Sequence, residues 1–98
     1  MILQDVIEDI HALCEDMRVY ERKYGILSET FYELYADGTE PDNDDWVLDW
    51  SDWAGACGLL IRRQEQYRNA VRTLKKEPSS LIRLITRTSR HEPVQITS

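Results

Sequence analysis

Apolar residues recur through the first two dozen positions with a helical beat. Leu3, Val6, Ile10, Leu13, Met17, Tyr20 and Tyr24 are separated alternately by three and four residues. That is the a/d spacing that only a helix presents as one stripe. Ile7 and Cys14 widen the stripe to one side, and no Gly or Pro interrupts it. Gly25 then offers the left-handed position that commonly follows a last helical turn. A helix is therefore predicted over 2–24.

A shorter pattern follows. Ser28 is placed to cap a second helix, Glu29 suits its positive end, and Leu27 with Tyr32 has the spacing of a hydrophobic staple. Phe31, Leu34 and Tyr35 are expected to face inward. Asp37-Gly38 stops this helix after about two turns, and residues 37–44 read as a polar loop. A second heptad run then begins, with Asp44 or Asp45 as its cap: Trp46, Trp50, Trp53, Cys57, Leu60, Gln64, Tyr67, Val71 and Leu74. The helix it predicts continues to about Lys76, and Pro78 prevents its smooth extension. Gly55 and Gly58 inside it each cost about 1 kcal/mol of helix propensity. Close approach of another backbone, such as the short second helix, is the expected compensation.

The last twenty residues differ in kind. Leu81, Ile82, Leu84 and Ile85 fit one face of a short helix at about 82–88, capped by Ser79 or Ser80. The Ile and Thr content also permits a strand, or a segment that orders only on binding. Residues 91–98 read as unstructured.

Neither seam can remain in water, and a short connection favours antiparallel neighbours. The predicted fold is all-α: an antiparallel hairpin of two long helices with a short helix between, plus a C-terminal tail. The domain boundaries are 1–77 for the helical body and 78–98 for the tail. So small a core also predicts a homodimer through the apolar faces, or a bound partner forming a hetero-oligomer.

Charge sharpens this picture. The chain has 12 Lys plus Arg against 18 Asp plus Glu, a net of -6. Residues 1–55 hold 15 acidic and 3 basic side chains, while residues 56–98 hold 3 acidic and 9 basic. Antiparallel helices would bring Asp5, Glu8 and Asp9 toward Arg68, Arg72, Lys75 and Lys76. Asp37, Glu40, Asp42, Asp44, Asp45, Asp49 and Asp52 have no basic counterpart nearby in sequence, so that end is expected to be a strongly negative tip. The acidic balance, and the lack of a recognition-helix or RNA-stacking motif, argue against direct DNA or RNA binding by the body. The longest apolar or small run, 54–61, is far short of the ~20 residues a bilayer requires. The start of the chain does not read as a signal peptide, and two cysteines are too few for a disulfide framework. A soluble cytoplasmic protein with no membrane contact is the expectation.

Catalytic constellations are hard to assemble from these residues. His11 and His91 lack an adjacent nucleophile or orienting group. Cys14 and Cys57 lie on or beside the seams and read as buried structural thiols without metal-ligand spacing. The run Asp42-Asn43-Asp44-Asp45 fails as a calcium loop, since its sixth and twelfth positions hold Val47 and Trp53 instead of Gly and Glu. No enzyme activity, metal or cofactor is expected. Trp46, Trp50 and Trp53, ringed by carboxylates, form a core face or an aromatic anchor for a basic protein partner.

The stretch from Tyr20 to Tyr32, Tyr-Glu-Arg-Lys-Tyr-Gly-Ile-Leu-Ser-Glu-Thr-Phe-Tyr, combines a heptad helix, a Tyr-Gly break and Ser-x-x-Phe-Tyr. Asp52-Trp53-Ala54-Gly55 and a helix with Arg62-Arg63-Gln64-Glu65 follow. Over about residues 1–76 this resembles small helical antitoxins of bacterial and archaeal type II toxin–antitoxin pairs, encoded beside a basic ribonuclease-like toxin. The resemblance implies a cytoplasmic protein that masks its toxin by direct contact. The residues after Pro78 lie outside the pattern and are a candidate toxin-clamping tail. The candidate partner-binding residues are thus Asp44, Asp45, Trp46, Asp49, Trp50, Asp52 and Trp53 of the acidic end, with Leu81, Ile82, Arg83, Leu84, Ile85 and Arg87 of the tail. Two other classes stay open: an acidic nucleic-acid mimic that inhibits a nuclease in the manner of phage inhibitors, and a non-catalytic helical dimerising adaptor.

Overall fold

The computed structural model describes residues 2–90 of the 98-residue chain. These fold as four α-helices: α1 (Leu3–Tyr24), α2 (Ser28–Ala36), α3 (Val47–Leu74) and α4 (Pro78–Ser89). A single 3-10 turn, Asp44–Trp46, leads into α3. The class is all-α, with α1 and α3 as the antiparallel arms and α2 between them in sequence. The expectation for residues 91–98 lies outside the described residues.

Local signals set most of the ends. Gly25 N–H still donates to the Glu21 carbonyl at 2.8 Å, and its φ of 77 then turns the chain out of α1. Beyond α2, Gly38 at φ 89 turns back so that Thr39 N–H donates to the Leu34 carbonyl and Gly38 N–H to that of Tyr35, each at 3.1 Å. These two bonds satisfy carbonyls the helix leaves free. The caps differ from expectation at three starts. Ser28 is the first residue of α2 and not its cap; Leu27 holds the capping position without a side-chain bond and stays exposed, which removes the staple. Asn43, not Asp44 or Asp45, caps the 3-10 turn through its side-chain oxygen. Helix α4 starts at Pro78 instead of about 82, with Glu77 before it and no serine cap. Pro is well suited to a first helical turn, where its missing N–H has no partner to lose.

The chain divides into two compact units. One comprises His11–Ile61; the other comprises the chain up to Ile10 and from Arg62 onward.

In the His11–Ile61 unit, Met17, Phe31, Trp53, Ala54 and Cys57 form the buried cluster, with Tyr20, Tyr24, Tyr32, Trp50 and Leu60 packed against it. Trp53 is 0% exposed. Its ring stacks on Phe31 at 3.8 Å and 1°, and on Tyr20 and Tyr24 at 5.7 and 5.8 Å. One turn later on α1, Tyr24 meets Trp50, which precedes Trp53 on α3, and Trp46 of the 3-10 turn before it, so the two helices run antiparallel. Of the three α2 residues expected inward, only Phe31 is buried. Leu34 and Tyr35 are 42% and 40% exposed, because a two-turn helix lying on one neighbour covers one side only.

The helix glycines also depart from expectation. A Cβ on Gly58 would meet the Tyr32 hydroxyl at 3.5 Å, an ordinary contact, so no close approach of the α2 backbone requires glycine there. A Cβ on Gly55 meets nothing within 4 Å. Gly55→Ala should therefore stabilise the protein by about 0.8–1 kcal/mol, the difference in helix propensity. A urea melt reads this as a raised midpoint at unchanged slope; a lowered midpoint would mean that Gly55 serves the fold in some other way.

The other unit is held by a smaller, aliphatic core in which Leu3, Val6 and Ala70 are buried. Its one aromatic residue is Tyr67. Asp9 accepts a charge-assisted hydrogen bond from Arg63 Nε at 3.0 Å, which places the start of α1 beside the later half of α3. The broader pairing expected here is not formed. Among the described residues, Asp5 and Glu8 make no ion pair, and Arg68 instead lies 3.5 Å from Glu65 on its own helix. Arginine three residues past an acid on one helix meets it without bridging two elements. On α4, Leu81 and Leu84 are half-buried, whereas Ile82 and Ile85 are exposed.

Candidate functional site

The acidic end is built on a capped turn. Asn43 Oδ1 accepts the Asp45 N–H at 2.9 Å, which fixes the 3-10 turn and leaves the carboxylates of Asp44 and Asp45 in solvent. Three apolar residues follow in succession. Trp46 packs edge-on against Tyr24 at 5.7 Å yet keeps 37% of its surface exposed. Val47 and Leu48 are 50% and 76% exposed. Three consecutive residues of a helix cannot all point at one core, and only the Trp46 ring reaches it. Leu48 has Asp44 and Asp45 one turn before it and Asp52 one turn after it, all exposed. The result is an apolar strip bordered by carboxylates.

Within the same unit lies an open groove of about 440 Å³, lined by Asp16, Val19, Tyr20, Lys23, Asp49 and Asp52 among others. No basic residue lies near Asp49 in sequence, but the fold brings one to it from α1. Lys23 Nζ donates to Asp49 Oδ2, and the Tyr24 hydroxyl donates to the same oxygen at 2.7 Å. The hydrogen bond from Lys23, then the one from Tyr24, hold the Asp49 carboxyl below its usual range. Burial pushes the Tyr24 phenol up, reinforced by Asp49. Burial also raises Tyr20, with Asp52, Asp49 and Asp16 adding to it. Three carboxylates therefore surround Tyr20, and one of them is committed to Lys23. Among the described residues, Asp37, Glu40, Asp42, Asp44, Asp45 and Asp52 take part in no ion pair.

Below the surface, Glu21 of α1 does the capping that Ser28 was expected to do. Its Oε2 accepts from both the Ser28 N–H and the Ser28 hydroxyl, each at 2.8 Å. A carboxylate at this end also suits the α2 dipole. The Ser28 oxygen then accepts the Trp53 indole N–H at 2.9 Å, in a buried bond. The Trp50 indole N–H is buried without a hydrogen-bond acceptor. Its ring stands at 85° and 5.4 Å to Phe31, and at 87° and 6.4 Å to Tyr24.

The three tryptophans consequently play different parts. Trp53 has no surface to offer a partner, Trp50 offers a little, and Trp46 is the accessible one. Asp44, Asp45 and Asp52 take part in no ion pair among the described residues, and Asp49 is spent inside the unit. The tail candidates belong to the other unit. Leu81 and Leu84 are half-buried, and Ile82, Ile85, Arg83 and Arg87 are exposed. Arg83 reaches Ser80 Oγ at 3.3 Å and Glu77 at 3.7 Å. Val47 and Leu48 were missed by a reading that followed the seam, although both are apolar residues the seam cannot bury. Lys23 and Glu21 were missed because each acts across a turn or between helices.

Cys57 is buried, and burial together with the nearby Glu21 charge pushes its thiol up, so it is a poor nucleophile. His11 lies exposed on α1. Among the described residues no group of three or more His, Cys, Asp or Glu side chains is placed to hold a metal ion, and no helix is long and apolar enough to cross a membrane. What the acidic end offers is an apolar strip, a groove and carboxylates that, among the described residues, take part in no ion pair. Comparison with protein-family models, curated proteins and solved structures gives no match.

Proposed function

We propose that this chain is an antitoxin-like protein that masks a cognate basic, ribonuclease-like toxin by direct contact in the cytoplasm. The observation that carries the reading is the exposed Trp46-Val47-Leu48 strip set among Asp44, Asp45 and Asp52. Apolar contact supplies affinity there, and complementary charge supplies orientation and a fast encounter. The resemblance of residues 1–76 to small helical antitoxins points the same way. The exposed face of α4 gives a second contact, and two linked contacts gain from effective concentration.

The test is co-expression with the products of the genes on either side of this chain's own. Relief of growth arrest and a stoichiometric complex are the expected results. Converting Asp44, Asp45 and Asp52 together to Asn should weaken the complex on the order of tenfold at low salt, since each exposed pair contributes ~0.2–1 kcal/mol. Asp49 is left out of that set because its loss also disturbs Lys23 and Tyr24. A neighbouring protein that neither binds nor is neutralised sinks the proposal.

A further inference from the structure

The basic end of α3 is not neutralised by the start of α1. Asp5 and Glu8 form no ion pair among the described residues, and Asp9 is taken by Arg63. Arg68, Arg72 and Lys75 are four and three residues apart, so they stand on successive turns of one helical face, over roughly 10 Å. Lys75 follows the last residue of α3, yet its N–H still donates to the Val71 carbonyl at 2.9 Å, which keeps it in helical register. All three side chains are exposed. Arg72 donates to the neutral Asn69 at 3.1 Å, and among the described residues neither Arg72 nor Lys75 takes part in an ion pair. Arg68 lies 3.5 Å from Glu65, but these side chains are 61% and 63% exposed, so water screens the contact heavily. Beside the three cations Tyr67 keeps 38% of its surface exposed. With Val71 it completes an open groove of about 390 Å³.

We propose that this groove seats a single strand of nucleic acid, with its phosphates on Arg68, Arg72 and Lys75 and one base stacked on Tyr67. A cationic track with an aromatic platform is how proteins hold single strands without reading their sequence. The net charge of -6 argues against nucleic acid only for the chain as a whole, since residues 62–90 hold nine basic and two acidic side chains. An open groove along one helix suits an extended strand better than a small molecule, which needs enclosure. Each nucleotide brings a charge and a flat ring, and the groove has a place for both. An acidic peptide brings the charge alone. A duplex keeps its bases paired and stacked, out of reach of Tyr67. The groove lies wholly within one unit and uses neither surface assigned to the toxin, so the inference does not rest on that reading.

Fluorescence anisotropy with the full chain is the experiment, using end-labelled oligouridylate and oligodeoxythymidylate of about twelve nucleotides. Binding of a single strand is expected at low salt, with log K falling against log salt at a slope of about -2, the value for three phosphate contacts on a single strand. Arg72→Glu/Lys75→Glu should weaken it at least about tenfold and flatten that slope. Tyr67→Ala should weaken it about tenfold at unchanged slope, and Tyr67→Phe should bind as the wild type does, because stacking needs the ring and not the hydroxyl. The two reversed cations are exposed, and the Phe variant keeps the aromatic side chain, so these arms do not depend on a disrupted fold. The proposal is overturned by a strand that stays unbound at ~1 mM protein and ~50 mM salt. It is equally overturned by a duplex that binds as tightly as its single strand, by polyglutamate that displaces the strand at equal charge, or by binding indifferent to the substitutions.

Discussion

Trp53→Ala is expected to cost about 3–5 kcal/mol, the largest loss of any single substitution in the His11–Ile61 unit. The side chain is completely buried and sits between the rings of Phe31, Tyr20 and Tyr24. Its removal opens a cavity that rigid aromatic neighbours cannot collapse into, and it strips stacked contacts worth more than their buried area. Small domains have only about 5–15 kcal/mol to lose. The variant should therefore populate unfolded chain at room temperature or melt far earlier. Circular dichroism through a thermal ramp checks this. A melting point near that of the wild type would mean the aromatic stack adds little.

Ser28→Ala is expected to cost about 1–3 kcal/mol although it removes one oxygen. That oxygen is the acceptor for the buried Trp53 N–H, and burying a donor without a partner costs far more than a net hydrogen bond contributes. Glu21 keeps its bond from the backbone N–H of residue 28, so the cap on α2 is weakened but not lost. The diagnostic is the background. In Trp53→Phe the orphaned donor is gone, and Ser28→Ala should cost less by about 0.5–3 kcal/mol, the coupling energy of two groups in contact. Equal penalties in both backgrounds would show that the indole bond is not what Ser28 provides.

These two residues also mark how far a sequence can be read here. The seams were legible because a 3-4 alternation admits one conformation: no α1 seam residue from Leu3 to Tyr24 is exposed. The helix ends at Gly25 and Gly38 were legible because a positive φ leaves little choice of residue. Ser28 was half legible. Its place at a helix start followed from its side chain, but its partners Glu21 and Trp53 lie 7 and 25 positions away. The Lys23–Asp49 pair spans 26 positions and depends on the register of two helices, which period alone does not set. Leu34 and Tyr35 were misjudged because the rotation of a nine-residue helix is fixed by its neighbour, not by its own pattern. At the acidic end the charge was visible and the strip was not: following Trp46, Trp50 and Trp53 drew the eye inward, away from Val47 and Leu48.

The partition of aromatic residues between the two units has a spectroscopic consequence. Every tryptophan lies within His11–Ile61, and the remainder of the chain holds Tyr67 alone. Indole fluorescence therefore reads the opening of one unit, and its emission moves to the red as water reaches Trp53. Far-ultraviolet ellipticity sums the helices of both. Recorded through the same denaturant titration, the two signals coincide if the units melt as one cooperative body and separate if they do not. No label, probe or substitution has to be introduced to tell these cases apart.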